Sequence, residues 1–194
     1  MNDRAEQIYE RLLVVRAQAG DESAFAELVE RYSPRLRYFV GKLLGPERHR
    51  GRSLQGGGVE DILQDVWLDV FRHLPRLADP QALAAWLYRI ARDRAYFRLR
   101  KARPAEQLRD ESQVVDASEA DEGEFSPEDA QRIHAALDEL PPEQREVLVL
   151  RFLEEMSYEQ IARIVGCQLG TVRSRIHYGK RALRSALEKD RKHE

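Results

Sequence analysis

The stretch Ser157-Tyr158-Glu159-Gln160-Ile161-Ala162-Arg163-Ile164-Val165-Gly166-Cys167-Gln168-Leu169-Gly170-Thr171-Val172-Arg173-Ser174-Arg175-Ile176 decides the fold of this chain. Ser157 suits a helix N-cap, and a glycine-bearing turn separates that helix from a second one starting at Gly170 or Thr171. Ala162 is small where the two helices of a helix-turn-helix cross closely, and Ile161, Val165, Val172 and Ile176 would fill the space between them. Thr171, Arg173, Ser174, Arg175, His177 and Tyr178 then stand at the start of the second helix, the end that enters a major groove. Arg173 and Arg175 can form bidentate pairs with guanine edges, each worth ~1–3 kcal/mol of discrimination. Lys180, Arg181 and Arg184 lie further along and suit phosphates. A charge run alone is usually a solvated face. Here the small residue, the glycine turn and a second helix with five cations and no acid from Thr171 to Leu187 occur together, and together they favour DNA binding.

Upstream, apolar residues recur at helical rather than strand intervals, which predicts an all-α chain. Pro127-Glu128-Asp129 or Ser126 opens a helix through Ile133, Ala136, Leu137 and Leu140, Pro141-Pro142 breaks it, and Glu143 to Phe152 forms the next. Asp21-Glu22-Ser23 is a helix opening, with acids at the positive end of the dipole. Phe25, Leu28, Val29, Tyr32, Leu36, Phe39, Val40, Leu43 and Leu44 follow as one stripe that Pro34 could kink or divide. Gly45 to Gly58 reads as a loop. A helix from Val59 turns Ile62, Leu63, Val66, Trp67, Val70, Phe71 and Leu74 inward and Glu60, Asp61, Gln64, Asp65 and Asp69 outward, and Pro75 ends it. Ala82 to Arg103 gives another, with Leu83, Trp86, Leu87, Ile90, Ala91 and Leu99 inward.

The net charge of −2 over 194 residues conceals a strong asymmetry. Residues 1–103 carry +5, residues 104–129 carry −9 and residues 130–194 carry +2. Two basic blocks joined by an acidic connector speak to partners rather than fold. The connector holds ten acids and few apolar residues, too few to offset its ordering entropy, so a flexible linker is expected. Trp86 to Arg103 carries Arg89, Arg92, Arg94, Arg98, Arg100, Lys101 and Arg103 against Asp93 alone. Cys167 is the single cysteine, so no internal disulfide can form. The five histidines have no metal spacing, and no phosphate-binding glycine loop precedes a helix. No cofactor, metal or catalytic constellation is expected. No run of eighteen apolar residues or signal peptide is evident, which points to a soluble protein of a reducing compartment.

Five segments carry a resemblance to a known family. Leu140-Pro141-Pro142-Glu143-Gln144-Arg145-Glu146-Val147-Leu148, Ser157 to Ala162 and Gly170 to Ile176 resemble region 4 of bacterial extracytoplasmic-function (ECF) sigma factors. Val59-Glu60-Asp61-Ile62-Leu63-Gln64-Asp65-Val66-Trp67 resembles their region 2.2, and Trp86-Leu87-Tyr88-Arg89-Ile90-Ala91-Arg92 resembles regions 2.3 and 2.4. The match covers roughly residues 20–103 and 130–187, in family order, across an acidic gap of the expected kind.

The resemblance implies two small helical domains, a region 2 bundle over 1–103 and a region 4 helix-turn-helix over 130–194, joined by the flexible acidic linker 104–129. It implies a cytoplasmic, bacterial initiation factor that does no bond chemistry. Glu60, Asp61, Gln64, Asp65 and Asp69 would meet the clamp helices of the polymerase β′ subunit, and the second domain would dock on the β flap. Trp86, Tyr88, Arg89, Arg92, Arg98, Arg100 and Lys101 would hold the −10 element, with Tyr88, off the apolar stripe, the better candidate for stacking on an unpaired base. Trp86, on that stripe, has core packing as a rival role. Thr171, Arg173, Ser174, Arg175, His177, Tyr178, Lys180 and Arg181 would hold the −35 element. An anti-sigma factor covering both domains is a further implied partner, as is promoter DNA itself. The chain departs from the family pattern at Asp93, where Asn is common, and at Phe97, where Asp is frequent. The rival reading is a helix-turn-helix regulator acting without polymerase, which would have no need of the acidic face at 60–69.

Overall fold

The computed structural model describes residues 2–45, 58–102 and 130–191. The expected acidic linker, the loop positions 46–57 and the helix opening at Ser126 to Asp129 lie outside the described residues. Among the described residues all regular structure is helical.

The first domain is built from α1 (Asn2–Gln18), α2 (Glu22–Leu44), α3 (Val59–His73) and α4 (Leu83–Ala102), with short 3-10 turns at Leu74–Arg76 and Pro80–Ala82. Asp21 caps α2 by accepting from the Ser23 and Ala24 amides. Those bonds satisfy donors that the first turn leaves orphaned, and the Ser23 hydrogen bond leads the causes that hold the Asp21 carboxyl well below its ordinary range. Pro34 does not divide α2, which runs through it unbroken. Leu28, Leu36, Phe39 and Val40 from α2 pack on Ile62, Val66 and Val70 of α3 and on Leu83, Leu87 and Ala91 of α4. Helix α1, which periodicity did not flag, closes the bundle with Leu13 and Val14. Two features of the expected stripes differ. Phe71 is 63% exposed, although its ring still meets Phe25 edge-on. Tyr88, expected outside, is buried and packs its ring on Phe39 at 5.1 Å.

The second domain contains α5 (Ala130–Glu139), α6 (Pro142–Leu148), a π-turn at Val149–Leu153, α7 (Tyr158–Val165) and α8 (Leu169–Arg191). Ser157 caps α7 in a complete capping box: its hydroxyl accepts from the Gln160 amide while the Gln160 side chain reaches back to the Ser157 amide. Gly166 ends α7 at φ 74°, the left-handed conformation a side chain resists. Ile161, Val165, Val172 and Ile176 are all buried, as the spacing predicts. Helices α6 and α8 approach closely at Gly179. A Cβ there would stand 3.1 Å from Leu148 of α6, and Ala162 is partly buried against the core.

Candidate nucleic-acid interface

Helix α8 presents Arg173, His177, Arg181 and Arg184 along one side, at the three- and four-residue spacing that places residues on one face. Arg173, Arg181 and Arg184 are exposed, while Thr171, Arg175, His177, Tyr178 and Lys180 are half-buried. The His177 and Tyr178 rings meet edge-on at 5.3 Å, and the Lys180 ammonium rests 5.6 Å over the Phe152 ring. Ser174 corrects the sequence expectation. Its hydroxyl donates back to the Gly170 carbonyl at 3.0 Å and its side chain is buried, a local bond that short hydroxyl side chains favour.

On α4, Arg89, Asp93, Phe97 and Arg100 share an outward face, and Lys101 is exposed beside it. Phe97 is 54% exposed, an aromatic surface among cations. Arg98 pairs with Asp65 of α3 at 2.8 Å, and Arg92 pairs with Glu146 of the second domain at 2.5 Å. Trp86 is half-buried against the core. Asp93 comes no nearer than 4.0 Å to Arg92.

On α3 the acidic face is partly neutralised from within. Besides the Asp65–Arg98 pair, Asp69 takes Arg94 and Glu60 takes Arg37 of α2 at 2.6 Å, a bond that holds the Glu60 carboxyl below its ordinary value. Asp61 and Gln64 point outward, and Leu68 and Phe71 lie on the same side, 46% and 63% exposed. Sequence reasoning missed this apolar pair because it placed Phe71 in the core stripe. Exposed large apolar side chains next to charge are a feature of protein interfaces.

The two domains dock through α2 and α4 on one side and α5, α6, α7 and the π-turn on the other. Tyr38 of α2 shares a 2.5 Å hydrogen bond with His134 Nδ1. The Lys42 ammonium donates to the His134 carbonyl and to Asp138. Arg145 is buried and donates to the Lys42, Asp138 and Leu140 carbonyls, two of the three within its own domain. Glu146 has no solvent contact and accepts from Arg92 and from the Tyr96 hydroxyl at 3.2 Å. Burial pushes its carboxyl up, against the pull of Arg92. Glu154 follows the π-turn and receives Arg35 at 2.6 Å. Glu155, next in the chain, has φ 53°, a strained setting for a residue with a side chain. Among the described residues no cluster of three His, Cys, Asp or Glu side chains could hold a metal ion, and no helix is long and apolar enough to cross a membrane.

Two family models match the chain: Sigma-70 region 2 over residues 28–104 and Sigma-70 region 4 over residues 130–183. The ECF RNA polymerase sigma-E factor of Escherichia coli (strain K12) is 32% identical, across 95% of this chain and 97% of its own length. The ECF RNA polymerase sigma factor SigW of Bacillus subtilis (strain 168) is 29% identical, across 90% and 94%. Among solved structures, CnrH in complex with the cytosolic domain of CnrY aligns with TM-score 0.63 at 25% identity, over 93% of this chain and 98% of that one. The sigma factor RpoE from Bartonella quintana, in complex with the anti-sigma factor NepR, aligns with TM-score 0.60 at 26% identity, over 84% and 96%. Two matched regions in family order, with relatives that span nearly the whole chain, make this protein a member of the ECF sigma factors, which join RNA polymerase and direct it to promoters.

Proposed function

We propose a division of this work among the three faces just described. The outward side of α8 reads the −35 element as duplex: Arg173 contacts base edges and His177, Lys180, Arg181 and Arg184 follow the backbone. The observation that carries this is the outward row of α8, which holds cations and no acid up to Leu187. Thr171, Arg175 and Tyr178 flank it. Arg89, Arg100 and Lys101 of α4 hold the −10 region, with Phe97 as the exposed aromatic for an unpaired base and Trp86 supporting from the half-buried side. Asp61 and Gln64, with Leu68 and Phe71, meet core polymerase, and the ion-paired Glu60, Asp65 and Asp69 shape the rim of that surface.

The functional spans are 1–103, 104–129 and 130–194, with the second domain docking on the β flap. The chain works in the bacterial cytoplasm and leaves bond chemistry to the polymerase. The two neighbours solved with an anti-sigma factor or with CnrY support an anti-sigma partner here too.

Paired substitutions test the division. Asp61→Arg should weaken association with core polymerase about tenfold while duplex binding persists. Arg173→Ala should leave core association intact and relax −35 preference by ~1–3 kcal/mol. Core affinity unchanged in the first, or promoter preference unchanged in the second, would remove the corresponding face from the proposal.

A further inference from the structure

Helix α1 carries two apolar faces. The inward one holds it to the bundle through the buried Leu13 and Val14, and the Gln18 amide donates to the Leu74 and Leu77 carbonyls at 3.0 and 2.8 Å. Glu6 and Glu10 lie 3.5 and 3.9 Å from Arg31 of α2, so both acids are drawn toward the bundle. The outward side is different. Ala5, Ile8, Leu12, Val15 and Ala19 follow one another at alternating intervals of three and four residues, and all five are exposed. The three larger ones are 57%, 50% and 52% exposed. That alternation is the a/d seam of a coiled coil, narrower than the stripe by which a helix packs into a globular core. Arg4, Arg11 and Gln18 flank the seam on one side, Tyr9 and Arg16 on the other. Arg16 pairs with Asp21, and Tyr9 donates to Glu27 of α2 at 3.0 Å. Arg4 and Arg11 have no ion pair among the described residues, and no acid occupies a flanking position from Arg4 to Gln18.

We propose that the outward face of α1 is a docking site for a single helix of a partner protein, apolar at its own a and d positions and acidic at the positions that flank them. Charge complementarity selects this occupant. A second copy of the chain would set Arg4, Arg11 and Arg16 against their own kind across the seam, a like-charge arrangement that disfavours self-pairing. A phosphate backbone would satisfy the arginines and leave Ile8, Leu12 and Val15 in water. An anionic lipid surface takes a broad apolar face rather than a strict a/d line. An acidic coiled-coil strand covers the seam and pairs the arginines together. From Ala5 to Ala19 the seam is about 21 Å long at ~1.5 Å per residue, which matches two heptads of a partner. None of its residues belongs to the faces assigned to polymerase or promoter on α3, α4 and α8. The inference therefore goes beyond that division and stands without it.

The test uses the full chain and synthetic peptides of about three heptads with Ile at a and Leu at d. One carries Glu at the flanking positions, one carries Lys there, and one has the acidic composition in scrambled order. Fluorescence anisotropy should give the acidic peptide an affinity about tenfold above either control, falling as salt screens the arginines. Arg4→Glu with Arg11→Glu should exchange the preference, so that the Lys peptide binds better than the Glu peptide. Both side chains are exposed, and a gain of binding is a result that a folding defect does not imitate. Ile8→Asp with Leu12→Asp should abolish binding of every peptide at unchanged helicity. Equal affinity for the acidic and basic peptides, or an unexchanged preference in the reversed variant, overturns the charge assignment. Peptide binding that survives Ile8→Asp with Leu12→Asp overturns the seam. Self-association of the wild-type chain that this double variant abolishes would give the face to a second copy. Tighter binding to phosphatidylserine vesicles than to the acidic peptide would give it to lipid. Either result overturns the partner-helix assignment.

Discussion

Glu146 and His134, both of the second domain, face the first domain with opposite proton dependences. Burial raises the Glu146 carboxyl, so its protonated form is favoured when the domains are docked. Its contribution is present at low pH and lost as pH rises through the raised value. His134 is lowered, by burial first and then by the Lys42 charge, with Asp138 opposing. Its contribution is present above the ordinary imidazole value and lost as pH falls through the lowered one. The His134 ring should therefore titrate below the ordinary imidazole range by NMR, and Lys42→Gln should move its midpoint upward. A midpoint at or above the ordinary range would contradict the docked geometry at Tyr38. Residue-scale chemistry was the least legible part of the sequence. Periodicity placed Tyr88 outside and Ser174 on the surface. Tyr88 is covered by packing between elements distant in the chain, and Ser174 by a bond to its own preceding turn.

At the scale of elements most of the fold could be read. Caps and breakers did the work: Asp21 opens α2, Ser157 with Gln160 opens α7, and Gly166 turns the chain. Ser157→Ala removes one bond of the capping box and should cost about 1 kcal/mol, a fall of about 4 °C in the melting temperature of the second domain. Calorimetry on the full chain would show it, and duplex affinity at low temperature should be unaltered. Equal melting would mean that the cap contributes nothing beyond what water supplies. Helix α1 escaped notice because its buried Leu13 and Val14 sit beside the exposed Ile8, Leu12 and Val15, so no single stripe stands out. The π-turn at Val149–Leu153 was equally silent. The sequence there reads as a continuation of α6, with no breaker to mark the wider turn.

For the whole molecule, composition gave two basic blocks and an acidic connector, and the matched regions fall on those two blocks. Docking of the blocks was not legible, because both carry net positive charge and the docking rests on individual acids of the second domain meeting individual cations of the first. Each of these pairs keeps one partner partly exposed, so breaking one costs less than the ~3–5 kcal/mol of a fully buried pair. Deleting about half of residues 104–129 should leave core association and duplex binding near normal while transcription falls severalfold, because reach and not contact is lost. Normal transcription from the shortened chain would refute a spanning role for that segment.

The most direct measurement is reconstitution: purified full-length chain, core RNA polymerase and a library of promoter fragments, with co-elution and transcripts read together. The expected result is a stable complex that transcribes a restricted set of fragments sharing two separated elements. A chain that binds duplex DNA through its second domain yet neither co-elutes with core polymerase nor selects promoters would contradict the assignment of α3 to polymerase and of α4 to the melted strand.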